Sequence, residues 1–126
     1  MSKHTMPMRI NIQTKNIDLT DAIRAYVDEK IASFGKLLPE AEDPVVAIEL
    51  SKERNDQNHG DQLFKAEINL SGPHRNIFAE AKTADLYASI DQVKDVAIRE
   101  LREQKERSVE EYRAGAREAK AALREE

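Results

Sequence analysis

The side chains able to do chemistry are few and scattered. His4, His59 and His74 lie far apart, each in a stretch that reads as a terminus or a turn, and no HExxH or other histidine pair stands at ligand spacing. A zinc-type site needs three or four converging donors, so no metal is expected. Cysteine is absent, which removes disulfides, thiolate nucleophiles and thiolate metal sites together. Ser51, Ser71 and Ser89 lack the context of a nucleophile elbow, and the four glycines are isolated, so there is no phosphate-cradling loop. Glu49 and Glu67 could face each other on neighbouring strands as an acid/base pair. Both, however, alternate with apolar residues, which places them on the polar face of a sheet. Tyr26 and Tyr87 could stack on bases, but each borders an apolar helical stripe and reads as core. The chain is therefore read as a non-enzyme without cofactor or small-molecule substrate.

What remains is a basic set: Arg24, Lys30, Lys82, Lys94, Arg99, Arg102 and Lys105. At about 100° per residue, Lys94, Arg102 and Lys105 fall on one flank of an apolar helical stripe, with Arg99 further round. On an earlier helix Arg24 is exposed, and Lys30 lies near the stripe and can snorkel out from it. Taken alone, such charges describe a solvated face with acidic neighbours such as Asp91 and Asp95, or a polyanion site. The formal net charge is −4, against the usual basic balance of nucleic-acid binders, but its distribution is uneven. Residues 1–39 carry six Lys and Arg against four Asp and Glu, 40–73 three against eight, and 74–126 eleven against twelve. Acid is concentrated in the middle, leaving local basic surface able to release counterions from phosphates.

The elements that must position these residues follow from periodicity. Met8, Ile10, Ile12 and Thr14 alternate with polar residues, which predicts a strand over about 8–14. After the turn-like stretch Lys15–Asp18, Thr20 is an N-cap for a helix over about 21–34 with Ile23, Val27, Ile31 and Phe34 inward and Gly35 ending it. Pro39 and Pro44 bracket an acidic loop. Two β-rich runs, 45–53 and 62–72, flank a hairpin loop around Gly60, and a turn at Gly72 and Pro73 precedes a short strand at 76–82. Thr83 can cap the second helix, with Asp85 in its first turn and Leu86, Ile90, Val93, Ala97 and Leu101 as one stripe. The expected fold is α+β, in the order β-α-β-β-β-α: a four-stranded sheet with two helices packed on one face.

The chain has 126 residues, 40% of them apolar, and no Trp, enough for one domain with an aliphatic core. No signal-peptide run and no succession of about 18 apolar residues occurs, so no membrane partner and a cytoplasmic location are expected. From about residue 106 the chain turns rich in Ala, Glu and Arg. It reads as helical but outside the core. Val109, Tyr112, Ala116, Ala119 and Leu123 keep a three-four spacing over only about two heptads, short of a coiled coil. The expected division is thus a domain over 1–107 and a charged helical C-terminal tail over 108–126.

Three strings resemble the ribosome hibernation-promoting and ribosome-associated inhibitor family. Ile10–Phe34 looks like that family's opening strand and helix, with its LTxAIRxYVxxKI pattern at Leu19–Ile31. Asp85–Asp91, DLYASID, looks like its most recognisable motif, and the following KDVAIRELREQK resembles its continuation, in which Asp95, Arg99, Leu101 and Lys105 hold familiar positions. The resemblance covers about residues 8–107. It implies a fold akin to double-stranded RNA-binding domains and a protein, monomeric off the ribosome, whose partner is the small ribosomal subunit and its ribosomal RNA. There it would occupy the tRNA and messenger region and hold ribosomes idle in starved or stationary cells, with the basic set as RNA contacts. The family often has basic residues where this chain has Val96 and Glu103, while Lys94 and Arg102 add charge close by. Long members carry a second, ribosome-pairing domain, so this chain reads as a short form. The alternative is a protein-interaction module acting through the C-terminal helix, with incidental RNA binding.

Overall fold

The computed structural model of the protein describes residues 9–37, 45–55, 61–72 and 75–124. Strand β1 (Arg9–Lys15) is followed by helix α1 (Asp21–Ile31), a short 3-10 turn (Ala32–Lys36), strands β2 (Val45–Asn55), β3 (Asp61–Gly72) and β4 (Arg75–Thr83), and helix α2 (Leu86–Arg124). The strands lie in sheet order β1-β2-β3-β4. β1 runs parallel to β2, a pairing that needs a crossover connection such as the one carrying α1, and the other two pairings are antiparallel. This is the α+β fold read from the alternation and stripe pattern.

Register explains how one sheet face becomes the core. Ile12 pairs with Ile48, Ile48 with Ile68, and Ile68 with Ala79, so a continuous apolar row crosses all four strands. Ile23, Val27, Ile31 and Phe34 from the α1 segment and Leu86, Ile90, Val93, Ala97 and Leu101 from α2 close over that face, all buried. The opposite face carries the polar half of each alternation and no described helix covers it, as a sheet with antiparallel pairs tolerates.

Local chemistry sets the boundaries. Asn16 takes a positive φ of 63°, which Asn tolerates better than most residues, and turns the chain from β1 into α1. Thr20 caps α1, its Oγ1 accepting from the Ile23 N–H at 3.1 Å. The α-helix stops at Ile31, three residues sooner than expected, and tightens into 3-10 geometry through Gly35 to Lys36; this tightening accompanies the burial of Phe34. The cap of α2 is Asp85, not Thr83. The Asp85 Oδ2 accepts from the Ala88 N–H at 3.3 Å, while the Thr83 hydroxyl is engaged inside the turn, accepting from the Asp85 N–H at 3.1 Å. β2, β3 and β4 each extend beyond the predicted runs. The acidic loop after Pro39, the hairpin tip at Gly60, the Pro73 turn, Met8 and all three histidines lie outside the described residues. Among the described residues no helix is long and apolar enough to cross a membrane.

α2 is a single helix of 39 residues. It runs without a break through residue 107, and from Arg102 onward nearly every side chain is exposed. At 1.5 Å per residue the part beyond Leu101 projects about 34 Å.

Candidate nucleic-acid interface

The two helices meet through one clasp. The Tyr26 and Tyr87 rings lie edge to face, 4.8 Å apart at 89°. The Tyr26 hydroxyl donates to Asp91 Oδ1 at 2.7 Å, and the same oxygen is 3.5 Å from Lys30 Nζ, which stands 5.1 Å from the Tyr26 ring centroid. The hydrogen bond to Asp91, reinforced by burial and by the charges of Asp91, Glu29 and Asp85, pushes the Tyr26 hydroxyl up to about 12. Neither tyrosine is deep core: Tyr26 is half-buried against the core and Tyr87 is 38% exposed. Their positions beside the stripes were readable from sequence. Their mutual contact, 61 residues apart in number, was not.

Beside this clasp lies the basic surface. Viewed down α2 from the direction of Leu101, Tyr87 and Asp91 sit at roughly 40° and 80°, marking the side that faces α1; Lys94 and Lys105 share that side at roughly 20° and 40°, with Arg102 near 100° and Arg99 near 160°. Arg99, Arg102 and Lys105 are exposed and make no ion pair among the described residues. Lys94 is three-quarters buried along its stem and pairs with Asp95 at 2.7 Å. Lys30 is engaged with Asp91, as above. Arg24 is exposed but sits roughly 160° round α1 from Tyr26, away from α2. Lys82 stands apart: Ala81 and Thr83 turn toward the helices, and Lys82 points from the open sheet face, 3.1 Å from Glu53. The fold therefore places Lys30, Lys94 and Lys105 on the side where α1 and α2 meet, puts Arg102 at the edge of that side and Arg99 further round, leaves Arg24 away from α2 and sends Lys82 to the open sheet face.

Val96 and Glu103, where the resemblance expects basic residues, share one line of α2 roughly 20° apart, at roughly 200° to 220° from Leu101. Lys94 and Arg102, at roughly 20° and 100°, lie on the side nearer α1.

On the open face Glu49 pairs directly with Glu67, and Glu80 follows in the same row. Lys65 bridges Glu67 at 2.6 Å and Glu80 at 3.5 Å; the Glu67 hydrogen bond raises the lysine's pKa, while burial opposes. The hollow of about 150 Å³ between Glu49 and Glu67 is otherwise lined, among the described residues, by Gln13, Ala47, Ile48 and Asn69. No group of three or more metal-ligating side chains occurs among the described residues.

Ser89, which as a nucleophile lacks any elbow context, has a structural use. Fully buried, it donates to the Phe64 carbonyl at 2.6 Å and lies 2.7 Å from the Thr83 hydroxyl, tying α2 to the sheet. Its spacing, three after Leu86 and four before Val93, carried the signal.

The profile of the sigma 54 modulation protein / S30EA ribosomal protein family matches residues 10–109. The chain belongs to that family. It is 30% identical over 100 residues to the ribosome hibernation promotion factor of Lactococcus lactis subsp. cremoris, covering 79% of this chain and 51% of that one. It is 31% identical over 103 residues to the ribosome hibernation promoting factor of Azotobacter vinelandii, covering 82% and 88%. The crystal structure of the N-terminal domain of Thermus thermophilus Protein Y superposes with a TM-score of 0.61 at 29% identity, covering 79% of this chain and 98% of that domain. The chain thus spans about half the length of some relatives, such as the Lactococcus protein, and most of the Azotobacter one. The names of these relatives describe an action on ribosomes and name no reaction. The family match ends at residue 109, so most of the projecting part of α2 lies beyond it.

Proposed function

We propose that this protein binds the small ribosomal subunit in the cytoplasm, occupies the region where tRNA and messenger would lie, and so holds ribosomes idle under stress or in stationary phase. The observation that carries this reading is the exposed trio Arg99, Arg102 and Lys105 beside the α1–α2 clasp, without an ion pair among the described residues, in a chain whose relatives are named for ribosome hibernation. Exposed guanidinium and ammonium groups bond phosphate oxygens and fix register without reading bases. Specificity then comes from the shape of folded RNA, because its deep groove closes the base edges to side chains. The rigid two-layer body supplies the steric block, and no covalent step is involved. Residues 1–107 form the binding unit in this reading, and 108–126 a helical extension.

The test is co-sedimentation with small subunits through sucrose gradients over a salt series, for the protein and for Arg99→Glu/Arg102→Glu/Lys105→Glu. Losing three phosphate contacts and adding three acids should abolish both association and inhibition of cell-free translation at salt concentrations where wild type binds, with any residual low-salt binding showing a slope shallower by at least about two and thermal stability unchanged. A folded triple variant that still inhibits places the site on another surface. A wild-type protein found only at the top of a low-salt gradient ends the ribosome reading.

A further inference from the structure

From Arg99 to the end of α2, a stretch that runs past the end of the family match at residue 109, the charges are sorted by side. Measured round the helix from Leu101, Arg99, Arg102, Arg113, Arg117 and Lys120 fall between roughly 100° and 160°, with Glu106 the one acid among the charged residues there; Glu100, Glu103, Glu110, Glu111 and Glu118 fall between roughly 180° and 280°, with Arg107 the one base. Arg113, Arg117 and Lys120 are exposed. Of these three, Arg117 has an acidic partner, Glu110 at 3.6 Å, and both side chains are about two-thirds exposed, so that pair is weak and readily exchanged.

The basic sector is continuous with the trio on the folded domain, because α2 does not break between them. Eleven residues separate Arg102 from Arg113, about three helical turns, which returns the second group to the same side. From Arg99 to Lys120 the row spans about 32 Å. A helix of this exposure would be marginal alone, but nucleation is already accomplished by the packed segment Leu86–Leu101, and good helix formers propagate it.

We infer that the C-terminal half of α2 is a second RNA-contact element, laying Arg113, Arg117 and Lys120 along phosphates next to those met by Arg99, Arg102 and Lys105. This rests on the proposed ribosome binding and extends it to a part of the chain that the family match leaves out. The segregation is what a polyanion requires: the side toward RNA is basic, and the side away is acidic, which limits indiscriminate binding. Val109, Tyr112 and Leu123, which are exposed, border the basic sector and offer a protein partner instead, an outcome the test separates.

The test uses the full chain carrying Arg113→Gln, Arg117→Gln and Lys120→Gln together, because Gln keeps helix propensity, with far-UV circular dichroism to verify helicity. Affinity for purified small ribosomal subunits is measured between about 50 and 200 mM salt, the range over which phosphate contacts respond strongly. At least a tenfold loss at the low-salt end and a slope shallower by about two are expected, with Glu111→Gln/Glu118→Gln unchanged or tighter. Unchanged affinity and slope in the triple variant, while wild type binds, overturns this inference alone. A loss of affinity with the slope unchanged means that the extension meets protein, and likewise overturns it. Failure of the wild-type chain to bind at the lowest salt overturns both this inference and the reading it rests on.

Discussion

Replacing Ser89 by Ala tests whether the DLYASID string works as a folding device. Ser89 is fully buried in α2, and its single hydroxyl proton is directed at the Phe64 carbonyl 2.6 Å away. The Thr83 proton is then shared between Ser89 Oγ at 2.7 Å and the Asp85 carbonyl at 2.6 Å. Alanine removes the donor to Phe64 and returns no water, because the site is closed. Leaving a buried carbonyl without that partner costs about 1–3 kcal/mol. Alanine's better helix propensity returns up to about 0.5 kcal/mol, and the lost oxygen leaves almost no cavity. The net expectation is a loss of about 1–2 kcal/mol, or about 4–8 °C in Tm at roughly 4 °C per kcal/mol for a domain of this size. Thermal melts followed by circular dichroism measure it. Ribosome association below the new midpoint should be unchanged, since Ser89 meets no solvent. A melting temperature equal to or above that of wild type would refute the account of Ser89 as the bolt between helix and sheet.

Tyr26→Phe should alter the alkaline limb of stability. The Tyr26 hydroxyl is held at about 12 against an ordinary value of 10.0, so its contribution is intact below pH 10 and lost as pH rises from 10 to 12; the difference between wild-type and Tyr26→Phe denaturation midpoints should shrink across that window, and a constant difference would contradict the Asp91 bond. Gly115→Ala should stabilise α2 by about 0.5–1 kcal/mol, since a Cβ at Gly115 meets nothing within 4 Å; no gain in helicity by circular dichroism would mean that the extension is not helical in solution. Deleting residues 108–126 should leave the melting midpoint of the domain within about 2 °C and ribosome binding weakened but present. A loss of a hundredfold, about 2.7 kcal/mol, would make the extension the principal binding element.

The fold was legible because burial here follows two simple periods. Each residue expected inward on the period of two at Val46–Leu50 and Phe64–Leu70, and on the helical stripes from Ile23 and Leu86, is buried or packed against the core. Boundaries were less legible where two devices compete within one turn. Thr83 and Asp85 are both good caps, and only the geometry of the β4 exit, which spends the Thr83 hydroxyl inside the turn, decides for Asp85. The site was half legible. Angles along one helix predict that Arg99, Arg102 and Lys105 share an exposed side, but the partners that neutralise other cations come from distant elements. Lys30 meets Asp91 on α2, and Lys82 meets Glu53 on β2.

The string that first suggests the family has its described side chains committed to the fold. Asp85 caps α2, Leu86 and Ile90 fill the core, Tyr87 and Asp91 hold α1, and Ser89 holds the sheet. Asp91 is the one acid in it on the proposed RNA side, and Lys30 and Tyr26 both engage the same oxygen, so the negative charge that the string brings to that side is partly neutralised. The basic residues show no comparable spacing, and phosphate contacts require none, because a flexible cation one position along a helix reaches a neighbouring phosphate nearly as well. Val96 and Glu103 stand where cations are expected, while Lys94 and Arg102 stand on the adjacent side. In the proposed reading, a binder that reads RNA by shape needs its two helices at a fixed mutual angle more than it needs any one lysine at a fixed address, and the clasp and the bolt are the contacts that hold that angle.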